Sequence, residues 1–235
     1  MGEVYPRHRV RSRARGVTGV PNLGRMELEA APYSRARTAI GLEYASVVVA
    51  GAEALAALIS GLLAGSVALI AFGADSVIEM LSAAVVLGQL LALAHQRPRG
   101  RFSEHRSHRV LGVLFFALAL YVVASVTWAL ASEHHPRENT LGIIVSVASC
   151  VTMPLLATMK RASARHLAEH GLSSLSRLVR TDAAETALCA VLAFSTLVGV
   201  SLAWLHWWWA DPMASLCVVY FALREGREAW ECEPE

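Results

Sequence analysis

The sequence predicts an all-α integral membrane protein of six transmembrane helices, with both termini in the cytoplasm. Three observations carry that prediction. Hydrophobic residues make up 55% of the 235 and charged ones only 17%, a more apolar balance than a soluble domain of this size shows. From about residue 42 the apolar residues come in blocks, each long enough to cross roughly 30 Å of hydrocarbon as a helix. Charge placement then orients the blocks. Of the 21 Lys and Arg, 20 fall on the arm before the first block, on alternate connections or near the C-terminus, and only Arg137 falls on the other side. The positive-inside rule puts the 20 in the cytoplasm.

Residues 1–41 hold eight arginines, three glutamates and no long apolar run. They lack the apolar core of a secretory signal and are expected to form a basic, disordered cytoplasmic arm against anionic headgroups. Without interleaved aromatics the arm does not suggest RNA binding, so no nucleic-acid partner is expected. The transmembrane domain covers 42–230, with spans at about 42–63, 67–93, 110–132, 141–158, 183–205 and 210–230.

Gly61 and Gly65 give span 1 a GxxxG at its outer end, a pattern suited to close helix packing. Five arginines fill the cytoplasmic connection 94–109. The longer one, 159–181, contains ARHLAEHGLSSLSRL, whose spacing suits an interfacial helix. Trp207, Trp208 and Trp209 open span 6 at headgroup depth. With a tail of 231–235, no soluble C-terminal domain is expected. Cys150, Cys189, Cys217 and Cys232 are scattered and form no disulfide framework; Cys150 and Cys217 are expected to be packing residues. His95, His105 and His108 sit in an arginine-rich loop, and His134 and His135 lie outside; solvated loops explain both groups better than second metal sites.

The chemistry lies in acids at membrane depth: Glu53, Asp75, Glu79, Asp182 and Glu185, with Asp211 nearer the outer interface. A charge at a helix centre costs roughly 2.5–3.5 kcal/mol on insertion scales. No Lys or Arg is expected at the same depth, so ion pairing does not account for them. The structural alternative is a set of neutral carboxyls hydrogen-bonded between helices; intramembrane acids more often mark ion or proton pathways. Glu53 and Glu79 fall near mid-membrane, Asp75 one turn further out, Glu185 near the inner edge and Cys189 one turn deeper. Asp75 and Glu79 are spaced i, i+4, as are Glu185 and Cys189, so each pair shares a helix face. If spans 1, 2 and 5 are neighbours, these groups line one polar cavity. Carboxylates plus a thiolate suit a four-coordinate divalent transition metal, Zn²⁺ or Cd²⁺ by the sulfur, Mn²⁺ or Fe²⁺ by the oxygens. No His lies in the inferred cavity. No Ser/His pair or HExxH occurs in the spans, and the chain is not expected to be an enzyme.

At these residues the sequence resembles the cation diffusion facilitator family of metal/proton antiporters. SGLLAGSVALIAFGADSVIEMLSA is similar to that family's glycine-rich junction of spans 1 and 2 followed by DxxxD, with Glu79 at the second acid. TDAAETALC is similar to its ADAxHxxSD, with Asp182 on the leading Asp, Glu185 on the His and Cys189 on the last Asp. WWWADPMASL resembles its tryptophan-rich lead into span 6. The likeness covers about residues 42–230, and the absent cytoplasmic C-terminal domain points to a small branch. The resemblance implies six spans with spans 1, 2, 4 and 5 around the site, a homodimer in a cell membrane (the bacterial inner membrane), and no prosthetic group. It implies export of Zn²⁺ or a similar metal in exchange for protons, held by Asp75, Glu79, Glu185 and Cys189. Asp182 would attract the cation at the inner mouth, and Glu53 would relay protons or tune the site. The competing reading is a non-transporting membrane metal sensor or partner subunit.

Overall fold

The computed structural model describes residues 23–94, 101–133, 135–137 and 139–231. Most of the basic arm, together with His95, His134 and Cys232, lies outside the described residues, as do the side chains of His105 and His108. The described chain is helical throughout: α1 (Leu23–Ala64), α2 (Val67–Ala94), α3 (Arg101–Ala131), α4 (Thr140–Glu169), α5 (Ser173–Trp204) and α6 (Ala210–Glu231). The all-α membrane architecture read from the apolar blocks is the observed one. Five helices are long and apolar enough to cross a membrane. In α6 the acids and arginines at both ends shorten the apolar run, yet it packs against α3, α5 and α2 as a full member of the bundle.

Two connections differ from expectation. α1 begins at Leu23, well before residue 42, and Ala36, Ala39 and Ile40 are buried. The segment 159–181 holds no separate interfacial helix: α4 and α5 run on until only His170–Leu172 divides them, with Gly171 at φ +78° making the turn. The cause is the same in both places. Ala36, Ala39 and Ile40 pack with Leu90, Ala164, Leu167, Leu175 and Val179 in a second apolar core at the arginine-rich end. Mean hydropathy is low there, but apolar residues at helical spacing keep one face buried.

α2 is the axis of the bundle, touching α1, α3, α5 and α6; α4 closes the ring between α1 and α5. Glycine makes the tightest of these contacts possible. A methyl on Gly61 would lie 2.8 Å from the Ile70 backbone nitrogen, and one on Gly73 would lie 2.9 Å from that of Leu58. Side chains at either position would push α1 and α2 apart. Gly65 has a different task, entering α2 at φ +68°. Polarity is inverted relative to a soluble fold: Leu62 and Leu120 are 70% and 72% exposed, while Lys160 and Glu43 are wholly buried. An apolar exterior around charged contacts is what hydrocarbon selects.

The turns α1–α2, α3–α4 and α5–α6 are tied together at one end. Arg137 donates its backbone N–H to Ala64 O at 2.7 Å, and Asn139 caps α4 through Gly142 N while donating to Ser60 O. Asp211, at the start of α6, accepts from Ser66 Oγ at 2.5 Å and from Val67 N at 2.9 Å. It therefore caps α2, placing a carboxylate on the positive end of that helix. Asp211→Ala is expected to cost about 1–2 kcal/mol, the range for strong caps, read as a lowered unfolding midpoint in detergent.

Candidate metal centre

The two expected pairs meet. Asp75 and Glu79 on α2 and Glu185 and Cys189 on α5 line one cavity of about 20 Å³, walled on its apolar sides by Phe115, Leu188, Leu192 and Phe221. That is room for a single water or ion. Cys189 Sγ donates to Asp75 Oδ2 at 3.1 Å, and Ser82 Oγ, one turn below Glu79 on α2, donates to Glu185 Oε2. Glu79 is 4% exposed, and neither of its carboxylate oxygens receives a well-aligned hydrogen bond; the Cys189 thiol and the Thr186 hydroxyl are the donors beside it. A buried acid without a well-aligned donor costs several kcal/mol unless something positive or protonated meets it. Among the described residues no three His, Cys, Asp or Glu side chains already stand around one coordination point. The four candidates are gathered in a common space, and the well-aligned hydrogen bond among them joins Cys189 to Asp75.

The other two expected residues are placed elsewhere. Glu53 is buried but faces α4, where it accepts from Thr152 Oγ1 at 3.2 Å. It does not line the cavity, because α1 packs on α2 and α4 rather than into the α2–α5 seam. Asp182, expected at the inner mouth as a cation attractor, is 1% exposed and bound to Lys160. This corrects the expectation that no cation shares the depth of the acids. Lys160 is wholly buried, pairs with Asp182, stands 3.3 Å from Glu43 Oε2 and donates to Thr186 Oγ1 at 3.1 Å. One ammonium thus joins α1, α4 and α5. Asp182 already has its cation, and it comes from the chain itself.

Three charged residues of the interior escaped the sequence reading. A span 4 that ends at 158 leaves Lys160 in a loop. The signal was present in the period: Ser149, Met153, Leu156, Lys160, Ser163 and Leu167 recur at three- and four-residue steps and are all buried on one face of α4. Glu43 lay at the assumed interface and was not singled out. Glu225 of α6 also lines the cavity, and it continues the buried stripe Asp211, Ser215, Val218 and Ala222.

A family model described as the cation efflux transmembrane domain matches residues 44–231. The chain belongs to that family. The match runs from α1 to the end of α6 and so contains every residue of the cavity. The cation efflux family transports metal cations, so the cargo of this chain is a metal cation and its bundle is a multi-pass membrane unit.

In this cation efflux protein Lys160 is a structural counter-charge. Removing one partner of a buried ion pair costs about 3–5 kcal/mol, because the remaining charge is stranded. Lys160→Met is therefore expected to lower stability by about that amount. Adding Glu43→Gln and Asp182→Asn to it should recover most of the loss in the same unfolding assay.

Proposed function

We propose that this protein exports a divalent transition-metal ion, Zn²⁺ foremost, from the cytoplasm in exchange for protons, and that Asp75, Glu79, Glu185 and Cys189 hold the ion in transit. The single observation that carries the reading is the buried carboxylate of Glu79, without a well-aligned hydrogen bond at either oxygen, sharing a cavity with the Asp75–Cys189 contact. These four residues supply three carboxyl groups and one sulfur, a donor set that suits Zn²⁺ and Cd²⁺ through the thiolate and admits Mn²⁺ and Fe²⁺ through the oxygens. With both termini cytoplasmic, as the arginine distribution supports, the second apolar core faces the cytoplasm and the Asp211 cap faces outward. The working unit in this reading is a homodimer in a cell membrane.

Proton exchange follows from ligand chemistry. A metal binds the thiolate and the carboxylates, not their protonated forms. When the ion enters, the Cys189 thiol gives up the proton it shares with Asp75, and any carboxyl protonated in the cavity gives up its own. When the ion leaves to the other side, the same groups take protons back from that side, because charges without a cation in a low-dielectric cavity are costly. The groups that bind metal and those that bind protons are the same atoms, so the two cargoes exclude each other. Lys160 stays paired throughout and keeps Asp182 and Glu43 out of the exchange.

In proteoliposomes with an imposed pH gradient, Zn²⁺ flux is expected from the native chain and none from Asp75→Ala; unchanged flux in that variant would contradict the assignment. Zn²⁺ affinity is expected to weaken as the medium is taken from mildly alkaline to mildly acidic. Binding in a weakly buffered solution should release protons, read with a pH indicator.

A further inference from the structure

A fourth carboxylate reaches the cavity. Glu225 of α6 lines it beside Asp75, Glu79, Glu185 and Cys189, and also lines a second, open cleft of about 490 Å³ between α5 and α6. Leu188 is the other side chain common to both spaces. Glu225 and Leu188 thus form the partition between the enclosed cavity and the cleft, one polar and one apolar. The backbone arrangement that puts Glu225 there is specific. Gly226, the next residue, packs against Phe115 and Phe116 so closely that a methyl would stand 3.3 Å from the Phe116 ring. That close approach of α6 to α3 turns the preceding residue toward α2 and α5.

Its surroundings point to a cation. The rim of the cleft carries Arg161, Arg180 and Arg224. Arg224 is engaged by Glu228 at 2.9 Å, and among the described residues no arginine stands at ion-pair distance from Glu225. An arriving cation therefore meets Glu225 as the first carboxylate not already taken by an arginine. Behind it lies Glu79, more than nine-tenths buried and without a well-aligned hydrogen bond at either oxygen. The cleft opens among arginine-bearing ends of α4, α5 and α6, the side from which the cation is loaded in the reading above.

We propose that Glu225 is a further metal-binding residue: it takes a partly hydrated divalent cation from the α5–α6 cleft and passes it to the inner four. A carboxylate suits this step, since a hard oxygen donor exchanges with water in the cation's shell before the softer thiolate binds. This inference rests on the transport reading of the inner cavity and adds a site to it.

The test is the concentration dependence of Zn²⁺ uptake into proteoliposomes for the native chain, Glu225→Gln, Glu225→Asp and Asp75→Ala. Glu225→Gln is expected to raise the half-saturating Zn²⁺ concentration by about 10–100-fold, the range seen when a residue supporting a metal site is removed, with the maximal rate little changed. Glu225→Asp should recover much of the affinity. If Glu225→Gln superimposes on the native curve while Asp75→Ala is inactive, Glu225 has no such role and the inner site stands. If Glu225→Gln lowers only the maximal rate and Asp does not rescue it, its role is in packing and the proposal falls. A native chain that neither moves nor binds Zn²⁺ overturns both readings.

Discussion

Hydrocarbon offers a charge nothing to bind, so each ionisable group in the bundle must find its partner inside the chain or in what the chain carries. The arrangement of the helices follows from how these groups are met. Asp211 receives the free N–H groups at the start of α2. Glu43 and Asp182 flank Lys160. Glu53 takes the hydroxyl of Thr152, Glu185 that of Ser82, and Asp75 the thiol of Cys189. These contacts cross between helices, so each fixes a helix pair as well as a charge. Glu79 is left, buried at both oxygens with no well-aligned donor, only the Cys189 thiol and the Thr186 hydroxyl beside it. The place where the internal accounting of charge stays open is the place where the family's cargo belongs.

The distinction between acids that are met and one that is not separates scaffold from site. Two of the acids expected to handle ions, Asp182 and Glu53, are held by side chains of the chain itself. Lys160 occupies the position of a permanent cation beside Asp182, at the end of the bundle where arginines gather. The cavity between α2 and α5 has no such tethered charge. Its sulfur and oxygens are mixed in hardness, which favours the later divalent transition metals over Mg²⁺ or Ca²⁺.

Much of this was legible in the residues. Blocks of apolar sequence fixed the helical class, and the i, i+4 spacing of Asp75 with Glu79 and of Glu185 with Cys189 put each pair on one face, which the α2–α5 contact then joined. What stayed hidden was the length of helices beyond the apolar blocks. Averaged hydropathy ends α4 near residue 158, whereas its buried face continues through Lys160 to Leu167. The same blindness concealed the helix before residue 42, whereas Glu43 and Glu225 fall inside spans 1 and 6 near their arginine-rich ends, where an acid reads as interfacial. The neighbour of Glu53 was beyond reach for another reason: a single carboxylate on a helix gives no sign of which adjacent helix it faces, and α4 rather than α5 lies against that side of α1.

The central claim is that one cation is held jointly by the carboxylates of α2 and the carboxylate and thiolate of α5. X-ray absorption spectroscopy of the Zn²⁺-loaded protein tests it most directly, because the sulfur is a single, distinguishable scatterer. The predicted shell has one sulfur at about 2.3 Å with oxygens completing a four-coordinate site, and the sulfur is lost in Cys189→Ser. A shell of oxygen and nitrogen alone in the native chain, or a sulfur signal that survives Cys189→Ser, would contradict it.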